Sequence, residues 1–177
     1  MVTLDPMADL MLRGLLAAIF AMAAYHKLKD RATFEGQLLA YDLLPMGLVH
    51  PASRAIPLVE GAVVIFLLAR SGDAGLCAML LMLIYACAMG INLIRGRHDI
   101  DCGCGGAEGR QVLHWALVGR NLGLALCAAA LMLPVDFRPA LWADYGLAAL
   151  AALTALALYT SFNTLVAQWP AMRRLKA

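Results

Sequence analysis

Five stretches of this 177-residue chain are long and apolar enough to cross a lipid bilayer, and they constrain its fold more than any other feature. A membrane-spanning helix needs about 20 mostly apolar residues, and backbone groups in lipid must be hydrogen-bonded within the protein. Hydrophobic residues make up 63% of the chain, more than one small soluble core can bury. The sequence therefore predicts an all-α integral membrane protein, a compact bundle of four or five transmembrane helices forming a single membrane domain over residues 1–177. The predicted spans cover about residues 8–28, 53–69, 74–94, 112–133 and 141–166.

Two features near the amino terminus bear on the number of spans. Asp5 and Asp9 precede the first apolar stretch, where a cleavable signal peptide would have basic residues, so we expect a retained span. The second span has a short apolar core interrupted by Glu60, and its signal is the weakest of the five. Between these two spans a partly apolar segment ends at Pro45, which predicts a short helix at the membrane interface.

Basic residues are concentrated at one end of the predicted bundle. With five alternating spans, the segments after spans one and three and the carboxy-terminal tail lie on the same side. Such basic segments usually face the cytoplasm, which places the amino terminus outside and the loop of residues 95–111 inside. The basic residues of this side are Lys27, Lys29, Arg31, Arg54, Arg95, Arg97, Arg110, Arg173, Arg174 and Lys176. No basic run with interleaved aromatic residues is present, so the expected surroundings are membrane lipid and not nucleic acid.

The loop of residues 95–111 contains two cysteines, Cys102 and Cys104, separated by a single glycine. A disulfide that closes so small a ring is strained, and strained, exposed disulfides exchange readily. The spacing therefore favours a redox pair in a polar, water-facing turn. Three alternatives remain open: the thiols bind a soft metal ion, form a static bridge, or are idle. A structural zinc site is disfavoured because His98 is the one obvious additional ligand, so no metal site is predicted.

Two ionisable residues, Glu60 and Arg120, lie inside predicted spans, where such residues usually face the bundle interior or a partner. Counted from the side of the thiol loop at 1.5 Å per residue, they lie about 6 Å and about 12 Å deep. These similar depths favour an ion pair between them. The pair would either hold two helices together or have a functional role beside the thiols. His26, Asn92 and Asn121 fall at the same membrane face, so the sequence predicts a polar vestibule beneath the loop.

These residues match the pattern of a known family. The chain resembles the MauE family of methylamine-utilisation proteins, within the DoxX-like group of small helical membrane proteins. The resemblance covers residues 12–134, and the Cys-Gly-Cys loop is its most specific part. The residues that carry it are Tyr41–Pro45, Glu60–Gly61, Arg95–Arg97, Asp101–Gly105 and Arg120–Asn121.

The resemblance implies a role in the maturation of a periplasmic amine dehydrogenase whose small subunit is rich in disulfides. It also implies location in a bacterial inner (cytoplasmic) membrane and a thioredoxin-like partner of the MauD kind, which exchanges electrons with the membrane protein. Carried over by position, Cys102 and Cys104 would be the redox pair of a thiol–disulfide oxidoreductase. Glu60, Arg120 and Asn121 would support that pair from within the membrane, and His26 is a second candidate, beside Glu60, for moving the accompanying proton.

Two rival functions fit the same residues. The protein could be a carrier for a soft metal ion or a thiol compound, or a non-catalytic assembly factor that anchors a partner. No sequence feature indicates a cofactor, although a quinone is a candidate for the far electron acceptor. The orientation also needs explanation, because periplasmic disulfide chemistry suggests thiols that face outward. Either electrons cross the bilayer, or the weak second span is absent and the loop lies on the other side.

Overall fold

The computed structural model describes residues 3–102, 111–136 and 141–174, with side chains up to residue 168 in the last segment. Cys104, the second member of the predicted redox pair, lies outside the described residues. The described part of the chain is helical without a β-strand, which confirms the predicted all-α fold. Its helices are α1 (Pro6–Lys29), α2 (Arg31–Tyr41), α3 (Met46–Leu68), α4 (Ala74–Ile94), α5 (Trp115–Ala130) and α6 (Trp142–Arg174).

Four of these helices, α1, α3, α4 and α6, are long and apolar enough to cross a membrane. The second predicted span is present as α3, which begins at Met46 and not near residue 53. Its first turns contain His50 and Pro51 and are less apolar than the rest, so hydropathy alone placed the start too late. Because α3 is long and apolar enough to cross a membrane, the described helices are consistent with the predicted alternation of directions.

Helix α5 is shorter than the predicted span of residues 112–133. It has 16 residues, which lie between the caps His114 and Leu131 and correspond to about 24 Å at 1.5 Å per residue. The hydrocarbon core of a bilayer is about 30 Å thick, so α5 alone does not cover it. It packs along α4 instead, at a contact where a side chain on Gly75 would place its Cβ 2.9 Å from the Ala128 carbonyl oxygen.

The short helix predicted before Pro45 is α2. The Asp30 carboxylate caps it by accepting a hydrogen bond from the Thr33 backbone N–H at 3.1 Å, and the helix ends where Asp42 adopts a left-handed conformation. Hydrogen bonds from the side chain and backbone of Thr33 hold the pKa of the Asp30 carboxyl below its usual value. Of the residues of α2, Phe34 alone is buried, so this helix lies on the surface of the bundle.

Two contacts fix the amino-terminal end of the bundle. Leu4 forms backbone hydrogen bonds of 2.9 Å with Pro134 and Asp136, which ties the start of α1 to the end of α5. Arg70, in the α3–α4 turn, donates to the Asp9 carboxylate of α1 at 3.1 Å. The start of α1, the α3–α4 turn and the end of α5 therefore share one end, and the thiol loop lies at the other.

The core lies between α1, α3, α4 and α5. Its fully buried residues include Leu16 and Phe20 of α1 and Leu67 of α3. Large apolar side chains are also exposed around the outside of the bundle, where a soluble protein would have polar ones. Examples are Leu58, Ile65, Leu68, Leu126, Leu153 and Leu158. This outer surface matches a lipid environment.

Candidate functional site: a buried thiol between two cavities

The base of the thiol loop is a short antiparallel pairing. Cys102 N–H donates to the Gln111 carbonyl at 2.8 Å, and Leu113 N–H donates to the Ile100 carbonyl at 2.9 Å. Tyr41 of α2 adds a hydroxyl that donates to the Cys102 carbonyl at 3.4 Å. The backbone of Cys102 is thus held by Gln111, at the returning end of the loop, and by Tyr41 of α2.

Cys102 is buried, which corrects the exposure that the polar loop sequence predicted for this residue. Its side chain belongs to an apolar cluster with Met89 and Leu93 of α4 and Leu113 and Leu117 of the following segment. The residue is only 8% exposed. The sequence could not show this, because the loop folds back onto α4 through residues that lie before and after it in the chain.

A chain of hydrogen bonds leads from the Cys102 sulfur into the bundle. Its thiol donates to Gln111 Oε1 at 3.4 Å, and Gln111 Nε2 donates to the Asn163 carbonyl of α6 at 2.8 Å. Asn163 Oδ1 accepts from Arg120 Nη1 at 2.6 Å. Arg120 also donates to Asn121 Oδ1 and lies over the ring of Tyr159. The thiol is therefore connected to two of the residues predicted to support it.

The buried carboxylate of Glu60 forms its salt bridge with Lys27 of α1. Tyr85 of α4 donates its hydroxyl to the same carboxylate oxygen at 2.7 Å. Glu60 is fully buried, and Lys27 lies over the rings of Phe34 and Tyr85, which contribute a cation–π attraction. The predicted ion pair of Glu60 with Arg120 is therefore wrong. The cation that pairs with Glu60 is Lys27 of α1.

Lys27 is the residue of the candidate site that the sequence interpretation missed, since it was counted among the loop charges. A signal was present, because Lys27 follows Phe20 and Ala24 at the spacing of one buried helix face.

A second missed feature lies at the opposite end of the bundle. There, buried Asp9 accepts from Arg13 at 2.8 Å as well as from Arg70, which ties α1 to the α3–α4 turn.

A polar cavity of about 550 Å³ opens where α1, α3, α4, α5 and α6 meet. It brings together all four residues predicted to support the thiols, and Gln111 links it to Cys102. Asn121 is 2% exposed, and its Nδ2 atom is buried without a hydrogen-bond partner among the described residues. The polar residues that line the cavity include His26, Lys27, Glu60, Gln111, Arg120, Asn121 and Asn163. Asn92, also predicted here, is buried on α4 and bonds the Ala88 carbonyl instead.

A second cavity, of about 420 Å³, lies between α2, α3 and α4 and is almost entirely apolar. Its lining includes Phe34 and Leu38 of α2, Ile56 of α3 and Met89 of α4. Cys102 forms part of its wall, and Lys27 and Tyr85 line both cavities. The thiol therefore lies between a polar and an apolar compartment. Within residues 3–102, 111–136 and 141–168, no three His, Cys, Asp or Glu side chains lie close enough together to hold a metal ion.

The fold and this site define a class: small multi-pass helical membrane proteins with a buried thiol beside charged groups at membrane depth. Comparison with known proteins then gives the family. The model described as "Methylamine utilisation protein MauE" matches residues 5–134, so the chain belongs to the MauE family, as its motifs predicted.

Curated relatives agree with this assignment over most of their length. The chain is 35% identical over 166 residues to the methylamine utilization protein MauE of Paracoccus denitrificans, covering 92% of this chain and 89% of the relative. It is 36% identical over 165 residues to the MauE protein of Paracoccus versutus, covering 91% and 88%. The MauE protein of Methylorubrum extorquens is 36% identical over 135 residues, covering 74% and 73%. No solved structure matches the chain.

Proposed function

We propose that this protein acts in methylamine utilisation as a thiol–disulfide redox protein of the bacterial inner membrane. In this proposal Cys102 and Cys104 exchange electrons with a thioredoxin-like partner of the MauD kind. The exchange supports disulfide formation in a periplasmic amine dehydrogenase subunit. The observation that carries the proposal is the bond from the Cys102 thiol to Gln111, which lines the cavity that contains Glu60 and Lys27.

The chemistry is an exchange of one disulfide for another. A thiolate attacks a partner disulfide to form a mixed disulfide, and the second thiol of the pair resolves it. Two electrons and two protons pass between the proteins in each cycle. Glu60 and His26 line the cavity that adjoins Cys102 through Gln111, and both side chains are chemically able to accept and return a proton. The buried polar residues thus supply a route for protons that the apolar membrane would otherwise block.

The arrangement of charges supports the orientation derived from the sequence. Lys27, Lys29, Arg54 and Arg95 lie toward the end of the bundle that carries the thiol loop. In the described part of the chain, the opposite end has Arg13 and Arg70 together with several acidic residues. The basic end is expected in the cytoplasm. Reaching a periplasmic substrate from there would require electrons to cross the bilayer.

Trapping the mixed disulfide tests the proposal. In the full-length protein with Cys104→Ser, Cys102 lacks its resolving partner, so we expect an adduct with a co-expressed thioredoxin-like partner that reductant releases. Cys87→Ser is the matched control, because Cys87 is an exposed thiol on α4 away from the loop. Mass spectrometry after alkylation should also show the Cys102–Cys104 pair cycling between reduced and oxidised states.

Other outcomes would overturn the proposal. Bound copper(I) or mercury that is lost in Cys102→Ser, with no trapped adduct, would indicate a carrier for soft metal ions. Normal maturation of the amine dehydrogenase after both cysteines are replaced by serine would indicate an anchor without redox chemistry.

A further inference from the structure

The side chain of Gln111 joins the Cys102 thiol to helix α6. Its Nε2 donates to the Asn163 carbonyl oxygen of α6 at 2.8 Å, and its Oε1 accepts from the Cys102 thiol at 3.4 Å. A carbonyl oxygen can only accept hydrogen bonds, so Asn163 determines which end of the Gln111 amide faces α6. The amide oxygen therefore faces the sulfur, where it needs a donor.

The Cys102 sulfur provides this donor only while it carries a hydrogen. Cys102 is a free thiol in this structure, and an S–H group donates one weak hydrogen bond, whereas a disulfide sulfur has no hydrogen to donate. Gln111 is 3% exposed, so water does not readily replace a lost donor, and a buried acceptor without a partner is unfavourable. Rotation of the amide does not restore both bonds, because it would turn Oε1 toward the Asn163 carbonyl oxygen.

Helix α6 is weakly attached at this end of the bundle. It packs along α1, and none of its described residues 149–168 is buried. Besides the bond from Gln111, Asn163 accepts from Arg120 Nη1 at 2.6 Å, and Val166 contacts the apolar cluster beside the thiol. Because so little of α6 is buried here, the loss of one hydrogen bond should change how often this part of the helix opens.

We propose that oxidation of Cys102 loosens α6 and opens the polar cavity. This inference rests on the proposed thiol–disulfide function and adds a redox-sensitive conformational step to it. Helix α6 forms one wall of the polar cavity of about 550 Å³ and contributes Thr160 and Asn163 to its lining. When the bond from Gln111 to Asn163 is lost, this wall separates from the loop more often, and water enters the cavity more readily.

The oxidation balances with a disulfide of the partner protein as the oxidant. The S–H bonds of Cys102 and Cys104 break together with the S–S bond of the partner. One S–S bond forms between Cys102 and Cys104, and two S–H bonds form in the partner, so two electrons and two protons leave this protein. Water in the opened cavity would exchange protons with His26 and Glu60, which line it.

Hydrogen–deuterium exchange of the full-length protein in lipid nanodiscs tests this step. A helical amide exchanges only when its hydrogen bond opens in the presence of water, so the exchange rate reports the opening of α6. Diamide, a small azo compound, takes up two electrons and two protons from a dithiol. We expect oxidation by diamide to raise the exchange rate of residues 158–168 about fivefold, the effect of losing one hydrogen bond. Residues 143–150, at the other end of α6, should not change.

Two substitutions of Cys102 separate the hydrogen bond from the oxidation. Cys102→Ala removes the donor and should raise the exchange rate of residues 158–168 without any oxidant. Cys102→Ser keeps a donor that diamide does not oxidise, so these residues should exchange slowly with and without diamide. In Gln111→Leu they should exchange fast in both conditions. Gln37→Leu is the matched control, because Gln37 lines the apolar cavity, and it should respond to diamide as the unaltered protein does.

The outcomes separate this inference from the proposed function. If the protein exchanges disulfides with a thioredoxin-like partner but residues 158–168 exchange equally in both redox states, the conformational step is wrong and the redox function stands. This comparison uses the unaltered protein and needs no variant to fold. Equally fast exchange in Cys102→Ser and Cys102→Ala would also overturn the step, because the donor would then not matter. If Cys102 and Cys104 do not oxidise at all, both proposals fail.

Discussion

Lys27 of α1 and Tyr85 of α4 donate to the same oxygen of the buried Glu60 carboxylate. This arrangement joins three helices around one charge at the level of the membrane. The two donors also form part of the boundary between the polar and the apolar cavity. The carboxylate is therefore placed where it holds three helices together, and in the proposed function it would accept protons released at Cys102.

Removing Lys27 should destabilise the protein strongly. Lys27→Met leaves Glu60 buried and without its ammonium partner, and breaking a buried ion pair from one side costs about 3–5 kcal/mol. The double variant Lys27→Met with Glu60→Gln should recover much of this loss, because it removes both charges. Denaturation of the protein in detergent measures the free energies of unfolding. Lys29→Met is the control and should be nearly neutral, since Lys29 is exposed.

A stability of Lys27→Met equal to that of Lys29→Met would show that Glu60 is not held as an ion pair. Failure of the double variant to recover stability would show that Lys27 acts through packing on Phe34 and Tyr85 and not through charge.

Gln111 should control access to the Cys102 thiol. Gln111→Ala removes the acceptor of the thiol and the bond to the Asn163 carbonyl, and each such bond contributes about 1 kcal/mol. Local opening of the loop then becomes more frequent, so labelling of Cys102 by a maleimide should accelerate about tenfold. Arg97→Ala is the control, because its ion pair with Asp42 is exposed and weak. Equal labelling rates in the two variants would show that Gln111 does not hold the thiol in place.

Much of the site follows from simple helix geometry, and the rest does not. The rise of a helix and the alternation of spans were enough to predict that Glu60, Arg120, Asn121 and His26 converge at the end with the thiol loop. These residues do line one cavity. Helix geometry could not show whether Lys27 or Arg120 pairs with Glu60, because a side chain at the end of a span can point either to solvent or inward. Lys27 points inward.

The burial of Cys102 also could not be predicted from the sequence. A polar, glycine-rich loop predicts exposure, yet pairing of its two ends returns Cys102 to the surface of α4. That return depends on Gln111, the last residue of the loop, and on Leu113 just after it, and neither residue indicates this pairing in the sequence. In contrast, a short helix before Pro45 was predicted from the partly apolar segment, although α2 ends earlier than that, at Tyr41.

The contact between α4 and α5 should not tolerate a larger residue at position 75. In Gly75→Ala, the new Cβ would lie 2.9 Å from the Ala128 carbonyl oxygen, so one helix must shift, at a cost of about 1–3 kcal/mol. Gly90→Ala lies on the same helix with nothing within 4 Å, and it should be neutral or stabilising by about 0.5–1 kcal/mol. Thermal unfolding of the two variants in the same detergent measures the difference. Equal stability would show that α4 and α5 pack less closely than described.

Accessibility labelling decides which way the protein faces. His98 lies at the thiol end of the bundle and Asp73 in the turn at the opposite end, and both are exposed. In intact cells, we expect a membrane-impermeant maleimide to label Asp73→Cys but not His98→Cys, because the basic end should face the cytoplasm. Inverted membrane vesicles should give the reverse pattern, which serves as the control. If His98→Cys is labelled from outside, the thiol loop faces the periplasm directly, and the proposed exchange then needs no transfer of electrons across the bilayer.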